Sequence, residues 1–233
     1  MIKKGPALGL LIARGGSKRI PGKNVKPFAG RPILQWPIQA LRESGLFSKI
    51  MVSSDDGEII RLACEAGAEA PFIRPPELSN DHATTMAVIR HAVDFLAKKG
   101  EEYDSVCCVY GTSVFLTSKI LCRAASLLDD ADAVMAATPF EHPVQRGFTI
   151  EPNGIAQFPG REFMNARTQD LPQHYHDAGL FYWLRTDALA TLPGDAHITD
   201  FLVKPLLFKR GTVQDIDEPE DWDLAERVFQ AGL

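Results

Sequence analysis

A continuous apolar run, residues 7–13 (ALGLLIA), empties at once into Arg14-Gly15-Gly16-Ser17. A strand apolar on every residue has to be buried on both faces, the condition of a central parallel strand. A glycine-rich loop directly behind it lies at the carboxyl end of that strand, where α/β folds bind ligands. The rest of the chain repeats the alternation. Residues 32–44 carry helical periodicity (Ile33, Trp36, Ile38, Leu41) and stop at Gly45. A strand at 49–53 precedes a helix at 56–66, and a short third strand is expected at 71–74. A strong helix at 84–99 is followed by a central strand at 105–110, a helix at 118–128 and a strand at 133–137. This order predicts a three-layer α/β fold with a mostly parallel sheet.

The pattern breaks over 140–175, where Pro, Gly, Asn and Gln interrupt short β-like pieces at 148–151 and 156–158, turning at Asn153-Gly154. We expect a small antiparallel excursion without a core of its own. The sheet resumes at 180–184 and 208–213, and 219–229 reads as a closing amphipathic helix. At 233 residues the chain suits one large core, a single domain over 1–233 with the excursion as an insertion. Net charge is −5, which gives nucleic acid no global attraction. Nothing in the sequence is long and apolar enough for a membrane span or a secretory leader, and four cysteines without a CxxC suit a cytoplasmic protein. Cys107 and Cys108 lie in an apolar run and read as buried strand residues.

Charge is uneven along the chain. No Asp or Glu precedes Glu43, whereas Lys3, Lys4, Arg14, Lys18, Arg19, Lys23, Lys26, Arg31 and Arg42 all do. The loop 13–24 (ARGGSKRIPGKN) therefore reads as a cationic phosphate cradle that no local acid neutralises. Gly15 and Gly16 let backbone N–H groups converge, while Arg14, Lys18 and Lys23 add charged contacts. The spacing matches neither a Walker A loop nor a GxGxxG fingerprint. Near the other end, Asp215 and Asp217 in Val213-Gln214-Asp215-Ile216-Asp217 point to one side of an extended segment. Two like charges on one face call for a cation, and hard oxygen donors suit Mg²⁺. Glu218, Glu220 and Asp221 need no such reason, because they fall at the N-terminus of the last helix behind Pro219.

ARGGSKRIPGKN, Phe72-Ile73-Arg74-Pro75-Pro76-Glu77-Leu78, Tyr110-Gly111-Thr112 and the late QDIDEPEDW together resemble the CMP-acylneuraminate synthetase family over nearly the whole chain. The stretches 142–146, 165–171 and 175–183 most resemble its branch acting on pseudaminic acid. The resemblance implies a Rossmann-like nucleotidyltransferase fold, CTP and an acidic nine-carbon sugar as substrates, Mg²⁺ as cofactor, and a homodimer joined through the excursion. It implies that Arg14, Gly15, Gly16, Ser17 and Lys23 hold the triphosphate, with Asn24 on the nucleotide and Arg74, Ala83 and Thr85 around the cytidine. Asp215 and Asp217 would be the metal ligands. Tyr110, Gln145, Arg146, Arg167 and His176 would grip the sugar acid, partly across the dimer, and Tyr110, Phe181, Tyr182 and Trp183 would wall the pocket where they reach it. Rival readings are the same chemistry on N-acetylneuraminic, legionaminic or ketodeoxyoctonic acid, a kinase or phosphatase, and a non-catalytic nucleotide-binding paralogue. The chain departs from the family where relatives carry Tyr-Ala-Thr-Ala-Pro-Phe and this one has Tyr110-Gly111-Thr112-Ser113-Val114-Phe115; losing the proline is expected to loosen that turn. Asp55-Asp56 reads as a helix cap that could also reach the nucleotide. His142, His174 and His176 read as hydrogen-bonding groups, and Trp36 and Trp222 as core.

Overall fold

The computed structural model describes residues 5–158 and 160–232; Lys3 and Lys4 lie outside them. The chain opens with β1 (Ala7–Ile12), followed by a tight hairpin of β2 (Pro27–Phe28) and β3 (Arg31–Pro32). Next come α1 (Gln35–Ser44), β4 (Lys49–Ser53), α2 (Gly57–Glu65), α3 (Thr85–Ala97) and β5 (Ser105–Tyr110). After α4 (Ser118–Leu127) and β6 (Ala133–Pro139), a second hairpin pairs β7 (Thr149–Ile150) with β8 (Ala156–Gln157). The last elements are β9 (Tyr175–Arg185), α5 (Thr186–Thr191), β10 (Val203–Leu207) and α6 (Pro219–Gln230). Six strands form one sheet in the order β10-β6-β9-β5-β1-β4. All run parallel except β9, which is antiparallel to both its neighbours.

Alternation along the central strands builds two cores. Leu11 of β1 and Cys107 and Val109 of β5 face α1, α2, α4 and α6. Leu8, Leu10 and Ile12 with Val106 and Cys108 face α3 and α5. The layers are thus helix, sheet, helix, as side chains of period two require when both faces are covered. Helix starts follow local chemistry. Asp56 accepts from Glu58 N and Ile59 N (2.8 and 3.0 Å), Thr84 from Ala87 N (3.1 Å), and Asp221 from Glu218 N (2.8 Å) behind Pro219. Burial pushes the Cys107 thiol well up, as expected of an inert strand cysteine. Among the described residues no helix is long and apolar enough to cross a membrane.

Two expected strands are not where periodicity put them. Residues 71–74 form no strand; only Met51 and Glu69 bridge there, and Arg74 N donates to Ser54 O (2.8 Å). Pro71, Pro75 and Pro76 crowd the segment, and without N–H groups they cannot sustain a ladder. The strand expected at 208–213 is instead β10, at Val203–Leu207, while Phe208 only donates to Ala137 O (2.9 Å) and Gly211 turns at φ 69°. Pro205 argues against a strand from sequence, yet β10 is an edge strand, where a proline can face away from the ladder.

Candidate active site

A cavity of about 250 Å³ opens at the carboxyl ends of β1 and β5. Arg14, Lys23 and Asn24 of the glycine loop line it from one side, Arg74, Ala83 and Thr85 from the other. Tyr110, at the end of β5, forms its wall, with its hydroxyl 3.0 Å from Thr85 Oγ1 and its phenol held above its ordinary range by burial. Arg74 is the floor. Only 4% exposed, it donates Nη2 to Ala13 O (3.2 Å) and Nε to Ser79 Oγ (3.1 Å), and approaches Asp55 at 3.6 Å. Burial lowers its pKa, with the charge of Asp55 opposing that shift. Asp55 also receives Gly15 N (3.1 Å), which gives the Asp55-Asp56 pair two separate roles, one bracing the loop and one capping α2. Asn24, buried beneath the loop, donates to Arg14 O at 3.0 Å.

The loop cations are not unneutralised. Arg14 and Lys18 both pair with Asp81 (2.7 and 2.6 Å), while Lys23 and Arg19 both pair with Asp217 (3.2 and 3.0 Å). The acids arrive from elements far along the chain, so a scan of local sequence misses them. Lys23 Nζ also donates to Ile216 O (2.7 Å), which docks the late acidic segment onto the early basic loop. Ser17 N closes back on Gly15 O at 3.0 Å, and Gly16 has open space at its Cβ position.

Ile216 is fully buried in the core, and Asp215 and Asp217 flank it. Burial and the charge of Asp217 push Asp215 up to about 6. Burial also raises Asp217, but Lys23 and Arg19 together outweigh it and hold its carboxyl below the usual range. Asp177 adds a smaller share to the repulsion at Asp215, although among the described residues no three His, Cys, Asp or Glu side chains gather closely enough to hold a metal ion. The position of Asp177 comes from an irregularity in β9. The β6–β9 register shifts between Met135 and Ala137, and inside the bulge Gly179 takes φ 64°. A Cβ there would come within 2.5 Å of Asp215 Oδ2, so the carboxylate occupies the space a side chain would need. Asp177 accepts from Gly179 N (2.8 Å) and from the Tyr182 hydroxyl. An isolated glycine in a strand pattern, as in Ala178-Gly179-Leu180, was the available signal of a bulge. Asp215 and Asp217 offer only hard oxygen, and a divalent cation would relieve the repulsion between them, so the pair fits Mg²⁺.

The residues expected on the sugar lie elsewhere, except Tyr110. Gln145 donates Nε2 to Pro172 O (3.0 Å) and meets His174 Nδ1 at 2.9 Å. Arg146 bonds Phe163 O (3.4 Å), Thr168 Oγ1 (3.2 Å) and Ala166 O, tying the excursion to itself. Arg167 grips Asp170 through Nε and Nη2 (2.7 and 3.3 Å). His176, exposed on β9, lies 4.8 Å from the Phe140 ring. Phe181 and Trp183 do not reach any pocket wall of the site: they are buried toward α1 and α4, with Trp183 5.2 Å from Phe47 and bonded to Ser105 Oγ (3.1 Å). Tyr182 alone turns to Tyr110, ring centroids 6.2 Å apart.

The turn after β5 is not loosened by its missing proline. Val114 N donates to Thr112 O (2.8 Å), a bond proline cannot make, and Ser113 Oγ, fully buried, donates to Leu180 O (2.7 Å). The turn is therefore pinned to the β9 bulge. Gly111 leaves room for the Asn24 carboxamide, which a Cβ would strike.

A cationic loop lining a cavity at the carboxyl edge of an α/β sheet, with the late Asp217 bonded to its Lys23 and Arg19, suits a nucleotide-handling enzyme. Residues 8–181 match the cytidylyltransferase family model. The chain is 37% identical over 229 residues to the pseudaminic acid cytidylyltransferase of Campylobacter jejuni, covering 96% of both. It is 31% identical to N-acylneuraminate cytidylyltransferase A of Danio rerio, over 96% of this chain and 51% of that one. In fold it is similar to a CMP:2-keto-3-deoxy-manno-octonic acid synthetase solved with CTP, at TM-score 0.69 and 16% identity, covering 98% of this chain and 100% of the other. The chain belongs to the cytidylyltransferase family, enzymes that transfer a nucleotide from CTP.

Proposed function

We propose that this chain transfers the cytidylyl group of CTP to pseudaminic acid, giving CMP-pseudaminic acid and pyrophosphate. The observation that carries this is the site just described, a loop whose Arg14 and Lys18 meet Asp81 and whose Lys23 and Arg19 meet Asp217, on a chain that matches a pseudaminic acid cytidylyltransferase over 96% of both. The sugar's anomeric hydroxyl attacks the α-phosphorus in line, an O–P bond forms as the hydroxyl proton passes to water, and the bond to the β-phosphate oxygen breaks. Arg14 and Lys23, with the N–H of Gly16, bear the charge that grows on the leaving pyrophosphate, while Gly15 and Ser17, whose N–H groups go to Asp55 and Gly15 O, shape the loop around it. Asn24, Arg74, Ala83 and Thr85 hold the nucleoside against Tyr110. Asp215 and Asp217 would hold Mg²⁺, which when bound supplies charge neutralisation at the α-phosphate.

The sugar end of the site is read as shared between two copies of the chain, with 140–175 as a dimerisation and sugar-binding insertion in a single domain. Support comes from the apolar surface of that segment. Phe148, Ile150, Ile155 and Phe158 are 54, 69, 61 and 53% exposed, with Phe140, Val144, Met164 and Tyr175 nearby in sequence. A second copy would cover this surface and bring Gln145, Arg146, Arg167 and His176 toward its partner's cavity. Free thiols at all four cysteines suit a cytoplasmic location.

The test is CTP-dependent pyrophosphate release across a panel of nonulosonic acids. We expect the highest kcat/KM with pseudaminic acid. A preference for N-acetylneuraminic or legionaminic acid would keep the chemistry and overturn the substrate, and no release with any of them would overturn both.

A further inference from the structure

Asp81 stands between the 3₁₀ turn Pro76–Leu78 and α3, on the wall of the cavity. Each of its carboxylate oxygens holds one loop cation, Oδ1 the Arg14 guanidinium at 2.7 Å and Oδ2 the Lys18 ammonium at 2.6 Å. Two cations converging on adjacent oxygens of one anionic group is how a phosphate is gripped. Arg14 itself lines the cavity beside Asp81, so the pair lies inside the space a nucleotide would enter. The other two loop cations, Lys23 and Arg19, are held by Asp217.

We propose that Asp81 is an internal competitor for the triphosphate: its carboxylate fills the phosphate position of the empty site and must give way when nucleotide phosphates arrive. This rests on reading the loop as the triphosphate subsite. The pair keeps the cations gathered while the site is empty, so the ligand meets a loop already shaped for anions. It also sets a threshold. A ligand displaces Asp81 only by offering Arg14 and Lys18 more charge and more acceptors than one carboxylate does, as a triphosphate does and an uncharged nucleoside cannot. The carboxylate stays ionised throughout the working range, since the Lys18 and Arg14 hydrogen bonds hold it down at about 2, and the competition therefore does not fade at neutral pH.

The experiment is isothermal titration of the full-length wild type and of Asp81→Asn with CTP and, separately, with cytidine. Asn keeps the size of the side chain and removes the competing charge. Both pairs are partly solvent-exposed, so CTP should bind the variant roughly three- to tenfold more tightly, with cytidine unchanged and the gain shrinking as salt is added. CTP binding that is unchanged or weaker in Asp81→Asn overturns the proposal, and so does an equal gain for cytidine, which would mean a reshaped nucleoside pocket. Failure of the folded wild type to bind CTP at all would be a different result, striking the reading of the site itself.

Discussion

The cavity at the carboxyl ends of β1 and β5 and the excursion at 140–175 are built on opposite plans. The cavity is assembled by buried parts from distant segments, with Arg74, Asn24 and Ser113 all buried and bonded to backbone carbonyls. The excursion turns apolar side chains outward and spends its arginines on itself, Arg146 on nearby carbonyls and Arg167 on Asp170. On the proposed reading, the difference means that one chain would carry the nucleotide site, while the surface of the excursion would be finished by a second copy. Polar groups satisfied within a chain stay put; exposed apolar groups await a partner.

The widest break in this comparison should come from Asp215→Asn. We expect turnover to fall about 10³-fold or more, while the melting temperature in EDTA stays within about 4 °C of wild type. Wild-type turnover in that variant would dismiss the carboxylate cluster as chemistry. Next in size is Lys23→Ala, expected to lower kcat/KM for CTP about 10²-fold or more through loss of a charged contact, with Arg14→Lys costing less because the charge remains. Steady-state kinetics with CTP varied at saturating sugar reads both. Ile150→Glu sharpens the contrast from the other side. It should convert a dimer to a monomer by light scattering and raise KM for the sugar about tenfold, with KM for CTP nearly unmoved. Equal rises in both would show that the two halves are not separable. Smallest is Ser113→Ala, which strips Leu180 O of a buried donor and should cost about 1–3 kcal/mol by urea unfolding. Full stability there would mean the turn after β5 is held by its backbone bonds alone.

The sheet was legible because burial on both faces writes unbroken apolar runs, as at 105–110, and helix ends announce themselves through Gly45 and Thr84. It failed where a proline argues one way and topology the other: Pro205 sits in an edge strand that tolerates it. In the site, the glycine loop and the alternating aspartates could be found because their chemistry is local in sequence. The pairing of Arg14 with Asp81 and of Arg19 with Glu218 spans 67 and 199 residues, and no periodicity reports it. Asp177 was hidden for another reason. It lies in a strand whose register slips, and period-two counting cannot place a side chain across a bulge. Phe181 and Trp183 end up in the core for a plainer reason, since both pair in regular register with β5 and alternation puts them on the face opposite Tyr182.

Position 179 has a consequence for how the chain can vary through descent. Glycine is demanded there twice over, once by a backbone at φ 64° and once by the Asp215 carboxylate standing in the place of a side chain. The two demands are independent. A smaller residue at 215 would clear the space, yet the left-handed backbone would still disfavour any L side chain, and the carboxylate would be gone. Relaxing the backbone would move the bulge that carries Asp177. Any change at 179 therefore has to satisfy the left-handed backbone and the Asp215 carboxylate together, in a space the chain fills with an acid in place of a side chain.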